Sequence, residues 1–217
     1  MKNYFIKYFN RIGRKRLLVM VAGNIFLGMG ISIFKFAGLG NDPYSGMVMA
    51  LADMVGMQYA NLLLMINLFI FILEIVFGRS FVGAGTLVNA FFLGYITTFF
   101  YSTWTYFFAL PKSLFLQIPI MLVGTAVTGF GVSMYQTANV GVSPYDSLSL
   151  ILTKRLPKIS YFWNRIFTDA ICALICFLAG GIVGLGTLVS ALGLGPVINF
   201  FNVHFTRKLF GKEEDIL

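Results

Sequence analysis

Two charged residues inside an apolar segment are the most costly side chains of this sequence. Arg165 and Asp169 stand in residues 160–179, which hold no other charge. A charge at the centre of a membrane helix costs about 2.5 to 3.5 kcal/mol on insertion scales. Residues four apart share one helix face, so the two can neutralise each other. Two interpretations stay open: Asp169 carries a coupling proton, or the pair is structural and Arg165 extends toward Lys158.

A second group of polar residues stands at two breaks between predicted helices. The breaks are residues 40–45 (GNDPYS) and 141–146 (GVSPYD). Glycine frees the backbone, Asp42 and Ser143 are good helix N-caps, and the following proline suits the first helical position. The positive end of each new helix would favour an anionic or strongly dipolar group. The alternative, compatible with the first, is that Asp42 and Ser143 simply cap their helices.

The two breaks belong to an internal repeat with a constant spacing of 101 residues between their prolines. Glycines and short motifs match at the same spacing, most clearly residues 83–88 (GAGTLV) with 184–189 (GLGTLV). One inserted residue in the second copy also aligns Asn67 with Asp169. The sequence therefore predicts a duplicated unit with a polar group at equal depth in both copies.

The composition places both copies in a membrane. Hydrophobic residues make up 58% of the 217 residues and charged residues 11%, and the mean hydropathy is +0.84. Uncharged runs such as 80–111 and 170–206 are long enough for helices that cross a bilayer, and they lack the alternation of a β-barrel. The net charge of +8 lies at the edges of these runs. This pattern argues against nucleic acid as a partner and predicts that both termini are cytoplasmic.

The predicted fold is an all-α polytopic membrane protein with two homologous repeats. Each repeat has three full transmembrane helices plus one short broken or re-entrant helix. Residues 1–16 form a basic cytoplasmic N-terminal arm, 17–103 repeat 1, 104–113 a connection, 114–205 repeat 2, and 206–217 a charged cytoplasmic tail. The predicted helices are 17–36, 43–54, 57–77, 83–101, 114–135, 144–156, 160–179 and 184–205.

Topology depends on whether the short helices cross the bilayer. If they cross, the repeats are parallel, with Lys112 inside and Lys35 and Arg79 outside. If they enter and return, the repeats are inverted, with Arg79 inside and Lys35 and Lys112 outside. The charge pattern fits both arrangements. The short helices are too short for the hydrocarbon core, which favours inverted repeats.

Other chemistries find little support in the sequence. Cys172 and Cys176 are predicted to pack as small apolar residues, and with the single His204 they make no zinc site. No catalytic set is recognisable, so we predict no enzyme activity, no cofactor and no metal. The Gly-x-Gly-Thr motifs lack the lysine of a phosphate loop and are interpreted as sites of close helix packing. Glu74 stands near the end of a predicted helix, where we expect it to reach water; the alternative is a role in transport.

These motifs resemble those of a known family. The pattern Gly-x-x-Pro-Tyr-[Asp/Ser] after the first span, followed by Gly-x-Gly-Thr-Leu-Val opening a later one, is similar to the bacterial YczE/YyaS/YitT family of small polytopic membrane proteins. The resemblance covers nearly the whole chain, although the first copy has Asn41-Asp42 where the second has Val142-Ser143. It implies a bacterial inner-membrane location and leaves the biochemical function open.

The leading hypothesis is a small inner-membrane transporter or channel-like carrier with its site between the two broken helices. The alternative is a membrane scaffold or regulatory subunit with no transport activity of its own. The expected partners are the lipid bilayer, an unidentified small molecule or ion, and either further copies of the chain or a membrane partner. The predicted substrate-binding residues are Asp42, Tyr44, Ser45, Asn67, Ser143, Tyr145, Asp146, Arg165 and Asp169.

Overall fold

The structure is a computed structural model that describes residues 13–210. The first twelve residues of the predicted N-terminal arm and the tail from residue 211 lie outside the described part. The described part is built from helices, with no strand in it. The helices are α1 Arg14–Ala37, α2 Pro43–Val55, α3 Tyr59–Phe77, α4 Ala84–Phe107, α5 Leu114–Thr137, α6 Pro144–Arg155, α7 Tyr161–Leu178 and α8 Leu185–Phe201.

All of the predicted helices are present, and the differences lie at their ends. α4 continues to Phe107, so the predicted connection 104–113 begins inside a helix. The indole Nε1 of Trp104 donates a hydrogen bond to the Ser32 hydroxyl at 2.9 Å, which ties this extension of α4 to α1. α8 ends at Phe201 and continues through a π-helical turn, Asn202–Thr206, into the short helix Arg207–Phe210.

The breaks before the short helices have the conformation that their sequences predict. Gly40 and Gly141 have φ angles of 99° and 116°, which a residue with a side chain rarely adopts. Pro43 and Pro144 then occupy the first turns of α2 and α6. The glycine therefore turns the chain, and the proline starts a new helix.

α1 and α5 pack closely together and run antiparallel. A Cβ atom added to Gly23 would lie 2.6 Å from the backbone nitrogen of Tyr135, and one added to Gly30 would lie 2.5 Å from that of Thr128. Residue numbers thus rise along α1 as they fall along α5. Small residues allow such close approach of two helix backbones.

α4 and α8 flank this central pair through matched contacts. A Cβ atom at Gly28 would lie 2.6 Å from Cγ2 of Ile96, and one at Gly129 would lie 2.5 Å from Cγ1 of Val197. Both residues of the first contact lie 101 positions before those of the second. Residue pairs 101 positions apart therefore make similar packing contacts, α4 on α1 and α8 on α5.

The distribution of side chains is that of a membrane protein. Large apolar side chains face outward, among them Phe69 at 63% and Phe177 at 66% exposure, whereas polar side chains such as Asn24 are fully buried. Within residues 13–210, five helical segments are long and apolar enough to cross a bilayer, namely α1, α3, α4, α5 and Leu185–Phe210. α7 has 18 residues and carries Arg165 and Asp169.

Candidate functional site

Each break is held in place by the Gly-x-Gly-Thr motif of the other copy. The backbone nitrogen of Gly85 donates to the Val140 carbonyl at 2.7 Å, and that of Gly186 donates to the Leu39 carbonyl at 2.8 Å. A Cβ atom at Gly83 would lie 2.3 Å from the Val140 oxygen. The interpretation of these motifs as close-packing sites is confirmed. Their glycines let backbone pack on backbone and give a partner to carbonyl groups that the breaks leave free.

The side chains at the two breaks cap the short helices. The Asp42 carboxylate accepts a hydrogen bond from the Ser45 backbone nitrogen at 3.0 Å, and the Ser143 hydroxyl accepts one from that of Asp146 at 3.2 Å. The predicted capping is confirmed at both helices. The second carboxylate oxygen of Asp42 is buried, with no hydrogen-bond partner among the described residues.

The first turns of α2 and α6 meet through two tyrosines. The rings of Tyr44 and Tyr145 are stacked, with centroids 4.2 Å apart and an angle of 5° between the planes. The Tyr44 hydroxyl donates to the Asn67 side-chain oxygen at 2.7 Å, and the Tyr145 hydroxyl donates to the Asp169 carboxylate. The aligned residues Asn67 and Asp169 therefore make corresponding contacts, each with the hydroxyl of one of the two tyrosines.

Arg165 links three of the predicted site residues. Its guanidinium pairs with the Asp146 carboxylate on α6, and its Nε lies 3.5 Å from Asp169 on its own helix. The guanidinium carbon also lies 4.7 Å from the centre of the Tyr145 ring. The predicted pairing of Arg165 with Asp169 is thus present. Its closer partner, however, is a carboxylate on another helix.

The nine predicted site residues form one connected set. The contacts run from the Asp42 cap to Tyr44 and Asn67, across the ring stack to Tyr145 and Asp169, and through Arg165 to Asp146 and Ser143. Most of these side chains are buried, and Arg165, with 30% of its side chain exposed, is the most accessible member of the ion pairs. Polar and charged groups therefore concentrate where the two short helices begin.

Sequence reasoning missed Tyr135 as a member of this set. Its hydroxyl donates to the Asp146 carboxylate and lies 3.4 Å from the Ser143 hydroxyl. The corresponding position of the first copy is Phe34. The change from Phe34 to Tyr135 at matched positions adds one hydroxyl group, and this difference was the signal in the sequence that could have identified Tyr135.

The expectation that Glu74 reaches water is wrong. Its side chain is completely buried, and neither carboxylate oxygen has a hydrogen-bond partner among the described residues. The end of α3 is covered by α6, since a Cβ atom at Gly78 would lie 2.6 Å from Cγ1 of Ile151. Nearness to a helix end along the sequence did not indicate which neighbour covers that end.

Cys172 and Cys176 are both buried and free, in keeping with the prediction that they pack as small apolar residues. Across residues 13–210, no group of three or more His, Cys, Asp or Glu side chains is arranged to hold a metal ion.

These features define a class: a multi-pass helical membrane protein with a buried ion cluster where two short helices begin. A match to the family of unknown function DUF6198 spans residues 14–203, and the chain belongs to that family. The resemblance to the YczE and YyaS proteins is confirmed by sequence similarity to both.

Three bacterial relatives are similar over most of their length. An uncharacterized protein of Haemophilus influenzae is 28% identical over 191 residues, covering 86% of this chain and 83% of the relative. The uncharacterized membrane protein YczE of Bacillus subtilis is 26% identical over 182 residues, covering 82% and 81%. YyaS of the same organism is 23% identical over 186 residues, covering 82% and 88%. No solved structure matches the chain.

Proposed function

We propose that this protein is a small bacterial inner-membrane carrier whose solute site lies between α2 and α6. The observation that carries the proposal is the position of Arg165, Asp146 and Asp169 at the meeting point of the short helices. Charges inside a membrane protein are costly and commonly serve substrates, ions or protons. A protein that only had to hold a shape could pack the same junction with apolar side chains, as Leu63 does at the position that matches Arg165.

We further infer that the two copies are inverted repeats and that α2 and α6 do not cross the bilayer. Antiparallel packing of α1 and α5 supports this inference. If α1, α3 and α4 cross the bilayer and α2 returns to the side it entered from, α5 runs opposite to α1. If α2 also crossed, α5 would run parallel to α1. With 13 and 12 residues, α2 and α6 are about 20 and 18 Å long, short of a hydrocarbon core of about 30 Å. α7 then crosses in addition to the five segments named above, which gives six crossings, and both termini are cytoplasmic.

This topology has a direct test in a matched pair of cysteine substitutions. Met57 and Lys158 lie at corresponding positions after α2 and α6. In a variant without Cys172 and Cys176, Met57→Cys should react with a membrane-impermeant maleimide added outside intact cells. Lys158→Cys should react only after the reagent is given access to the inner face of the membrane. Labelling of both positions from the inner face alone would instead indicate parallel repeats.

Solute binding would require the stacked tyrosines to separate. Tyr44 and Tyr145 belong to different copies, and their rings close the junction between α2 and α6. Discontinuous helices that meet near the membrane centre are typical of transporter sites, where one repeat moves against the other. Because each short helix is already capped by its own side chain, the ion cluster rather than a free helix end is the recognition element we propose.

The proposal can be tested by electrical recording from reconstituted protein on solid-supported membranes. The probes are rapid steps in pH, sodium, potassium, ammonium, acetate and glycine. We expect a charge displacement for at least one probe, lost in both Asp146→Asn and Asp169→Asn. Leu63→Met is the matched control in the first copy and should keep the signal. Unchanged signals in both Asp variants would refute the proposed site.

The second candidate function is a membrane scaffold or regulatory subunit. One observation favours it: the stacked tyrosine rings fill the junction between the short helices. In that case a cysteine at the buried Ser45 would stay unreactive toward a small water-soluble thiol reagent, and the protein would co-purify with a membrane partner or further copies of itself. A carrier would instead expose Ser45→Cys to that reagent. Under either function we retain the prediction that the protein is not an enzyme.

A further inference from the structure

Glu74 is a buried acid that the proposed solute site does not include. Its side chain has no solvent exposure, and neither carboxylate oxygen has a hydrogen-bond partner within residues 13–210. A buried carboxylate that is ionised and unpaired would lose its hydration with nothing in return. Proteins avoid that cost by pairing the group, by binding a cation, or by keeping it neutral.

Two cations, one on α6 and one on α7, already have other contacts. The guanidinium of Arg155 lies 4.4 Å from the centre of the Phe77 ring, and that of Arg165 pairs with Asp146. α6, which packs against this end of α3, carries the Asp146 carboxylate in its first turn, and that group would repel a second negative charge. The packing around Glu74 thus favours its neutral form.

The second copy has no acid at the corresponding position. The one-residue insertion that aligns Asn67 with Asp169 aligns Glu74 with Cys176, which is also buried. Both residues occupy the same place in their copy, near the end of the helix that follows a short helix. Replacement of a thiol by an unpaired carboxyl is not needed for packing, so a chemical role is the better explanation for Glu74.

We propose that Glu74 is a proton-binding site coupled to the Asp146–Arg165 pair. In the arrangement described, the carboxyl oxygen of Glu74 holds the proton. Release of that proton breaks one O–H bond, leaves a carboxylate on α3 where α6 packs against it, and passes the proton to water. The new negative charge is then relieved when Asp146 takes up a proton or when a cation enters the site. The coupling to transport rests on the carrier function proposed above, whereas the bound proton does not.

Infrared difference spectroscopy tests the bound proton without any transport assay. We expect the wild-type spectrum at neutral pH to contain a carboxylic-acid C=O band that is absent from Glu74→Gln and shifted in Glu74→Asp. Cys176→Ser, the matched control, should keep the band. A spectrum of Glu74→Gln that differs from wild type only in the carboxylate region would overturn the proposal, because Glu74 would then be ionised.

Proton movement into liposomes containing a pH-sensitive dye tests the coupling. Under a potassium diffusion potential, we expect wild type and Glu74→Asp to move protons and Glu74→Gln to lose this activity. If the infrared band is present but wild type moves no protons, the coupling is wrong and the bound proton stands. If proton movement depends on Asp146 while the band is missing, the Glu74 proposal fails and the carrier function stands.

Discussion

Tyr44 and Tyr145 occupy matched positions in the two predicted copies, but their surroundings differ in charge. The Tyr44 hydroxyl meets an amide, whereas the Tyr145 ring and hydroxyl meet a guanidinium and a carboxylate. The same contrast extends to four neighbouring positions, where an uncharged residue in the first predicted copy corresponds to a charged or hydrogen-bonding one in the second: Ser45 to Asp146, Leu63 to Arg165, Asn67 to Asp169 and Phe34 to Tyr135. The capping residues show the reverse, because Asp42 corresponds to Ser143.

What the two copies share is the set of residues that shapes the backbone. The glycines of the breaks, the prolines that start the short helices and the Gly-x-Gly-Thr motifs make equivalent contacts in both. What differs is the polar chemistry around the tyrosine pair. The residues that shape the backbone, which we call the frame, thus make matched contacts in the two predicted copies, and the ion pairs of Arg165 make the site asymmetric. The following variants compare matched residues of the two predicted copies, both those that shape the backbone and the polar ones around the tyrosine pair.

The largest effect is expected from Arg165→Met. Removal of the guanidinium leaves Asp146 and Asp169 without their cation, and breaking a buried ion pair in this way destabilises a protein by about 3 kcal/mol or more. Leu63→Met at the matched position changes shape but no charge, and should cost less than about 1.5 kcal/mol. Thermal unfolding in detergent micelles measures both.

A double variant makes this prediction sharper. Without the guanidinium, the carboxylates of Asp146 and Asp169 are unpaired with a cation. Asp146→Asn in the Arg165→Met background removes one of these two negative charges and should recover part of the lost stability. If Arg165→Met unfolds at the wild-type temperature, the ion pairs are weak and the charged copy is not distinguished by its energetics.

Much of this frame could be predicted from the sequence, because its signals are local. The uncharged runs set the number and approximate length of the helices, and each Gly-x-x-Pro break marks where a short helix begins. The repeat spacing predicted equivalent positions, and the hydroxyls of Tyr44 and Tyr145 do meet the aligned pair Asn67 and Asp169.

Contacts between helices were less predictable. The spacing of Arg165 and Asp169 indicates a pair on one helix face, but it gives no information on which side chain α6 brings to the same place. The packing of α6 against α7 supplies Asp146 as the closer partner of Arg165, and its packing against α3 covers the end of the helix in which Glu74 is buried. Hydrophobic periodicity is too weak in helices that are apolar on nearly every face to define such neighbours.

The frame itself differs between the copies at one matched glycine pair. A Cβ atom at Gly94 would lie 2.9 Å from the Cα atom of Ala60, whereas one at Gly195 would have nothing within 4 Å. Gly94→Ala should therefore destabilise the protein by about 1 to 3 kcal/mol through overpacking. Gly195→Ala should leave the stability unchanged or raise it by up to about 1 kcal/mol. Equal unfolding temperatures for the two variants would contradict this difference in packing.

The smallest expected effect comes from the tyrosine hydroxyls. Hydrogen bonds to charged groups contribute about 1.5 to 3 kcal/mol and those between neutral groups about 0.5 to 1.5 kcal/mol. Tyr145→Phe removes a bond to a carboxylate, and Tyr44→Phe removes one to an amide, so Tyr145→Phe should be the more destabilising by about 1 kcal/mol. In an Asp169→Asn background both bonds are neutral, and the two substitutions should then have nearly equal effects on unfolding. A difference that persists there would have to come from the rings rather than from the charge of Asp169, since the hydroxyls would have equivalent partners.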